Sequence, residues 1–299
     1  MKYSKKAVSI PDQIAKLKRR GLIISDTSKA ESYLSNISYY RLRAYTYPFQ
    51  DNTDPSHPFI TKISFEEILS LYVFDRQFRL LVLDAIEKIE ISFRTQVIYH
   101  WAMSYGSHWY LESSLFRNSV HFAKHFNHLN KEVERSAEAF IDHYKSKYTE
   151  PQEPPAWMSM EVSSFGLLSL MFRNLKLGEE KKAVLRHYGL YKIDVLESWM
   201  HSFSNIRNIC AHHGRLWNRR LTAHIKIPTK TKYQFITNKH LYPYKVYAAL
   251  CCMKYTLDII SPNHTFTKRL IELMRSCPLA QDKEMGFPTD WQQEKFWQL

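Results

Sequence analysis

Residues 64–104 read SFEEILSLYVFDRQFRLLVLDAIEKIEISFRTQVIYHWAMS, and this stretch decides the fold class. Ile68, Leu71, Phe74, Phe78, Leu81, Ala85, Ile89, Phe93 and Val97 recur at intervals of three and four, the period of one helix face. Ser64 and Glu67 stand at capping-box spacing ahead of that run, so a helix opens there. Gly106 closes it, as one helix or a close pair running to about Ser104. Glu87, Glu90 and Arg94 share one stripe of this helix at spacings of three and four. An internal ion-pair ladder accounts for them, and the alternative is that Glu90 and Arg94 order an active-site group.

Outward from that helix the same period recurs. On the N-terminal side, Ser9, Ile10 and Pro11 predict a short basic helix over Pro11 to Arg20, and Ser28 with Glu31 predicts a second. The run SYYRLRAYTYPF, Ser38 to Phe49, interleaves Arg41 and Arg43 with aromatics and reads as core rather than as an RNA-stacking platform. A polar turn over Asn52 to Pro58 follows. On the C-terminal side, helical stretches are expected over His121–Tyr148, Ser163–Leu175, Glu179–Tyr188, Lys192–Cys210, Tyr242–Ile260 and Thr265–Ser276. Arg219 to His240 has few helical repeats and reads as a basic loop or short ribbon. Only seven glycines occur in 299 residues, with no Asn-Gly or Asp-Gly pair, so the tight turns that sheets need are scarce. The fold expected is all-α, one helical domain over 1–299: an N-terminal helical extension over 1–60, a core over 61–260, and a C-terminal helix and tail over 261–299.

Apolar residues make up 44% of the chain and aromatics 14%, enough for a real core, which excludes a disordered chain. Lys and Arg number 42 against 29 acids, a net charge of +13, and such an excess favours polyanionic partners. From Ser198 to Leu257 there is no Asp or Glu, while Arg207, Arg215, Arg219, Arg220, Lys226, Lys230, Lys232, Lys239, Lys245 and Lys254 all fall within it. That window reads as a surface facing a polyanion, and Arg215, Arg219, Arg220, Lys226, Lys230 and Lys232 are its candidate RNA contacts. Cys210, Cys251, Cys252 and Cys277 show no C-x-x-C spacing and read as reduced thiols, with no metal site and no cofactor expected. No apolar segment follows MKYSKK, and the longest apolar stretch, Tyr247 to Ile260, is broken by Lys254 and Asp258. A cytoplasmic protein without a membrane partner is expected.

The chemistry-bearing segment is SNIRNICAHHGRLWNRRL, Ser204 to Leu221. Val195, Trp199, Phe203, Ile206 and Cys210 form the apolar face of the helix entering it, with Arg207 at its edge and Asn208 turned away. His212 follows Asn208 by four, so Asn208 can hold the imidazole if the helix continues through His213, and Gly214 then ends it. Metal-free RNA cleavage needs a base for the ribose 2′-OH, an acid for the leaving 5′-oxygen and positive charge on the phosphate, and Arg and His are suited to those tasks. Arg207 and His212 are five apart, about 140° around an ideal helix, so convergence needs a distorted helix end or a second copy. An Arg followed at this spacing by a His arises about twice by chance in such a chain, so the spacing alone is weak.

The surrounding residues are more specific. RNICAHHGRLWNR (207–219) resembles the signature of the Abi-like, AbiD/AbiF-type abortive-infection proteins of the HEPN superfamily, whose R-N-x-x-x-H motif is associated with RNase activity. Similar segments are ISYYRLRAY (37–45), LYVFDRQFR (71–79), IEKIEISFRT (86–95), PPAWMSMEVSSFG (154–166) and MGFPTDW (285–291). More distantly, the chain resembles the HEPN domains of type VI CRISPR effectors. The resemblance implies a HEPN-like helical bundle with additional N- and C-terminal helices, and two copies paired so that both motifs line one cleft. It also implies metal-independent endoribonuclease activity in anti-phage defence, and a toxin held by an RNA or protein antitoxin. Carried over by residue, Arg207 contacts the phosphate, His212 acts as acid or base with His213 able to share or replace it, and Asn208 positions the imidazole.

Overall fold

Ser64 and Glu67 cap the long helix as their spacing predicts. In the computed structural model, which describes residue 2, residues 6–238 and residues 240–298, the Ser64 N–H donates to Glu67 Oε2 at 2.7 Å and the Glu67 N–H to Ser64 Oγ at 3.2 Å. The helix runs unbroken from Phe65 to Tyr105, and the Gly106 N–H closes it on the Ala102 carbonyl at 2.9 Å. The fold is all-α, with thirteen α-helices and no strand among the described residues. The chain divides into two compact units, Met1–Phe78 with Glu272–Gln281, and Arg79–Ile271 with Asp282–Leu299. The division falls inside the long helix rather than near residue 60.

The first unit holds α1 (Ile10–Arg19), α2 (Thr27–Ile37), α3 (Tyr39–Thr46) and the start of α4 (Phe65–Tyr105). Ile14, Leu17, Ala30, Leu34, Leu42 and Tyr45 are buried with Phe65, Ile68, Leu71 and Phe74 of α4. Asp26, not Ser28, caps α2, its Oδ1 accepting from the Lys29 N–H at 2.9 Å, so the helix starts two residues earlier than the capping-box pattern suggests. The aromatic run is core only in part. Tyr45 is buried and donates to Asp75 Oδ2 at 2.6 Å, whereas Tyr40 is 84% exposed.

The second unit holds the rest of α4, then α5 (Ser119–Glu134), α6 (Ala139–Lys147), α7 (Ala156–Ser159), α8 (Phe165–Asn174), α9 (Glu179–His187), α10 (Ile193–Ala211), α11 (Val246–Ile260), the first part of α12 (Phe266–Ser276), and α13 (Asp282–Met285). α8 packs against both α5 and α10, and α11 is buried on every side from Val246 to Leu257. The stretch expected as one helix over 121–148 is two. Ser136 Oγ accepts the Glu138 N–H at 3.3 Å, a local bond that competes with helix continuation. α11 begins at Val246 rather than Tyr242 because the chain ahead of it is a turn pinned to the loop: the Lys245 N–H donates to the Tyr242 carbonyl at 2.9 Å, the Ile225 N–H to that of Pro243 at 3.1 Å and the Leu221 N–H to that of Tyr244 at 2.8 Å. Phe287, Trp291 and Trp297 gather on Tyr247, which makes the MGFPTDW segment part of the core. No helix among the described residues is long and apolar enough to cross a membrane.

Candidate functional site

α10 carries the R-N-x-x-x-H segment to the surface. Val195, Trp199, Phe203, Ile206 and Cys210 are buried along it, which fixes the helix rotation and leaves Asn208 exposed and Arg207 41% exposed. The helix ends at Ala211, with His212 as its C-cap. The His213 N–H donates to the Cys210 carbonyl at 3.0 Å and the Gly214 N–H to that of Ile209 at 2.8 Å, the bond pair of a Schellman termination. That motif puts its left-handed residue at His213, φ +57°, and not at Gly214. Gly214 is needed for a different reason: a Cβ there would meet the Ile209 carbonyl oxygen at 3.1 Å. His212 and His213 are both exposed at this end.

Arg207 turns toward α4. Its Nε lies 4.0 Å from Glu90 Oε2, and its Nη1 donates to Asn208 Oδ1 at 3.4 Å, so the Asn208 side chain faces the guanidinium. Glu90 in turn accepts from Arg94 Nη2 at 2.7 Å. Arg94 is buried and reaches back to the segment before α8, donating to the Glu161 carbonyl at 2.6 Å and to the Ser163 carbonyl at 3.0 Å. Burial pushes the Glu90 carboxyl above its ordinary range, outweighing the opposing pull of Arg94 and Arg207. The stripe read as an ion-pair ladder is therefore a chain of contacts from the Glu161 carbonyl through Arg94 and Glu90 to Arg207. His212, five residues on from Arg207, follows it by about 140° around an ideal helix.

The basic segment after α10 is a loop strapped down by α10 side chains. Trp199 Nε1 donates to the Lys226 carbonyl at 2.8 Å, Ser202 Oγ to that of Ala223 at 3.2 Å, and Ser198 Oγ accepts the Lys226 N–H at 2.9 Å. The Lys232 N–H closes on the Gly189 carbonyl at 2.8 Å. Its cations are not equivalent. Lys226 pairs with Asp194 at 2.7 Å, a counter-charge from the first turn of α10 and outside the acid-free window. Lys254 pairs with Asp258 at 2.8 Å and is buried. Arg219 and Arg220 are exposed. Four cations between α10 and α11 lie over aromatic faces: Arg220 at 4.3 Å from the Tyr244 ring, Lys232 at 5.2 Å from Tyr233, Lys230 at 5.3 Å from Tyr191, and Arg215 at 5.9 Å from Trp217. Lys239 lies outside the described residues.

Two features escaped sequence reading. Tyr191 and Tyr233 are exposed beside Lys230 and Lys232, a pairing hinted at only by the adjacent Lys232-Tyr233 step. The carbonyls of Glu161 and Ser163 that hold Arg94 carry no sequence signal at all, because any residue supplies one. Cys210, Cys251, Cys252 and Cys277 are buried and form no disulfide.

Residues 32–218 match a family model described as Abi-like protein. Comparison with curated proteins and with solved structures gave no match.

Proposed function

The chain belongs to the Abi-like protein family, and we propose that it is a metal-independent endoribonuclease of phage abortive infection. On this reading it is an AbiD/AbiF-type member of the HEPN superfamily, with a HEPN-like core over 61–260, acting in the cytoplasm. One imidazole takes the ribose 2′-OH proton as the 2′-oxygen bonds to phosphorus. A second group returns a proton to the 5′-oxygen as the P–O5′ bond breaks, leaving a 2′,3′-cyclic phosphate and a 5′-OH. Arg207 neutralises the crowded phosphate.

The observation that carries this reading is the half-exposed Arg207 guanidinium, tethered through Glu90 to buried Arg94, on the same last turn that ends in exposed His212 and His213. Glu90 and Arg94 are positioning residues: they aim Arg207 and do not touch RNA. Because Arg207 and His212 stand about 140° apart on one helix, the complete site is proposed to form between two copies, each giving one R-N-x-x-x-H segment. RNA is led there by Arg215, Arg219, Arg220, Lys230 and Lys232, whose neighbouring tyrosines offer stacking faces. An RNA or protein antitoxin would cover the same surface.

Incubation with RNA in EDTA tests the proposal. Products ending in 2′,3′-cyclic phosphate are expected, and both Arg207→Ala and His212→Ala should abolish them without loss of fold. Undiminished cleavage by the double variant removes the site assignment. A second reading, a non-catalytic module that holds RNA or a partner protein, is favoured by the Asn208 carbonyl turning to Arg207 rather than to the imidazole. It expects salt-sensitive RNA binding without products.

A further inference from the structure

Away from Arg207, a cavity of about 350 Å³ opens between α5, the end of α8 and α10, and its lining is cationic. Arg117, His121, Lys124, His125, His128 and Arg173 line it. The one carboxylate in that lining, Glu197, is already committed: its Oε1 lies 2.7 Å from Nζ of fully buried Lys181 and 3.5 Å from Arg117 Nη2. The nearest further acid on α5, Glu132, accepts the Ser164 N–H at 3.0 Å and stands 3.6 Å from Arg135 and 3.7 Å from His128. Arg117, Lys124 and Arg173 outnumber the single lining carboxylate, and cations gathered in a concave wall focus a positive field into the cleft.

His125 is only 9% exposed, and its Nδ1 has no hydrogen-bond partner among the described residues. Its pKa is pushed down first by burial and then by His121, Lys124 and His128, so an anion beside it would relieve the strain on its charged form. The N-terminus of α5 lies at the rim, with no acid in its first turn. The walls are held in register by Asn174: its Oδ1 accepts the Asn118 N–H at 3.1 Å, its Nδ2 donates to the Asn118 carbonyl at 3.0 Å, and its own carbonyl accepts the Arg117 N–H at 2.8 Å.

We propose that this cavity binds the phosphate of a nucleotide or of an RNA strand, with Arg117, Lys124 and Arg173 as charge partners and His121 and His125 as hydrogen-bond donors. Its volume suits a ligand of nucleotide size. Glu197, His201, Asn205, Asn208 and His212 follow one another at spacings of four, four, three and four, so the cavity and the motif share one stripe of α10. Glu197 and Asn208 are about 16 Å apart along that helix, so a strand anchored in the cavity can run toward the helix end. The proposal stands apart from the nuclease reading, since the cavity binds whether or not RNA is cut.

The test is binding to the full chain in EDTA of two probes, ATP and a short 2′-O-methyl oligoribonucleotide that has no 2′-OH to attack. Both Arg173 and Lys124 are exposed, so Arg173→Ala and the pair Lys124→Ala with Arg173→Glu should keep the fold, checked by the melting temperature. The paired variant is expected to weaken binding about tenfold or more. Arg207→Ala with His212→Ala should leave ATP affinity unchanged even where it stops cleavage. Loss for ATP identifies a free nucleotide as the source, and loss for the oligonucleotide alone identifies the strand. In the unaltered chain the His125 imidazole resonances should move on titration with whichever probe binds. Absence of binding by both probes, or affinities indifferent to the paired variant, overturns the proposal.

Discussion

Removing Arg94 should strand a charge. Arg94→Met deletes a guanidinium that is 10% exposed and makes three charge-assisted hydrogen bonds, to Glu90 at 2.7 Å and to the carbonyls of Glu161 and Ser163 at 2.6 and 3.0 Å. It leaves Glu90, 16% exposed, facing only Arg207 at 4.0 Å. Breaking one side of such a buried pair costs about 3–5 kcal/mol. At about 2–4 °C per kcal/mol for a unit of this size, the melting temperature should fall on the order of 10 °C. Glu90→Gln should cost less than about 1.5 kcal/mol, because glutamine still accepts from Arg94 and burial already disfavours the charged carboxylate. Combining the two changes should recover about 1–2 kcal/mol of the Arg94→Met loss, since no buried charge is then left without its partner. Acid should act in the same direction: Glu90 without Arg94 protonates more readily, so the penalty of Arg94→Met shrinks as pH falls. Calorimetric melts of the wild type, both single variants and the double variant at neutral and mildly acid pH read all of this. If the double variant melts no higher than Arg94→Met, Glu90 bears no stranded charge and the contact chain from α8 to Arg207 is not what aims the guanidinium.

Burial holds the Lys181 amine down to about 8, below its unfolded value of about 10.4. The unfolded chain therefore binds more protons over that window, so this group's contribution to stability rises with pH between them, by about 3 kcal/mol in all. Lys181→Met should remove that increment, seen as the pH dependence of the wild-type minus variant unfolding free energy; parallel curves would contradict it. At 213, φ +57° makes glycine about 1 kcal/mol more stable than alanine, by urea unfolding of two variants that both lack the imidazole. If the proposed RNA cleavage is found and both variants keep it, the acid–base role falls to His212; equal stability would remove the left-handed assignment. Gly189→Ala puts a Cβ 2.7 Å from the Tyr233 ring and 2.8 Å from Tyr255 Oη at φ +59°. It should destabilise by about 1–3 kcal/mol and loosen the Lys230–Tyr233 stretch; an unchanged melting temperature would show that Gly189 does not anchor the basic loop.

The helical class and the long helix were legible in residues 64–104 because apolar spacing and a capping box are local properties, set within a few turns of chain. The same holds for the apolar face of α10, which determines that Arg207 and Asn208 lie outside the core. Splitting α5 from α6 was not legible, since Ser136 bonds locally where the apolar pattern runs on. Nor was the termination of α10: the pattern favours Gly214 as the left-handed residue, but the Schellman bonds select His213. Charge read along the chain did not show that Lys226 has a counter-ion, because Asp194 arrives from the far end of a helix.

Residue types and their order thus settled which segments become helices and which faces they bury. Which charges meet was decided only when distant elements came together: Arg94 against carbonyls nearly seventy residues away, Lys181 against Glu197, and the cations of α5 against Arg173. Helix formation depends on neighbours three and four residues apart, whereas electrostatic energy depends on distance through space and on exclusion of water, and only the packed chain defines those.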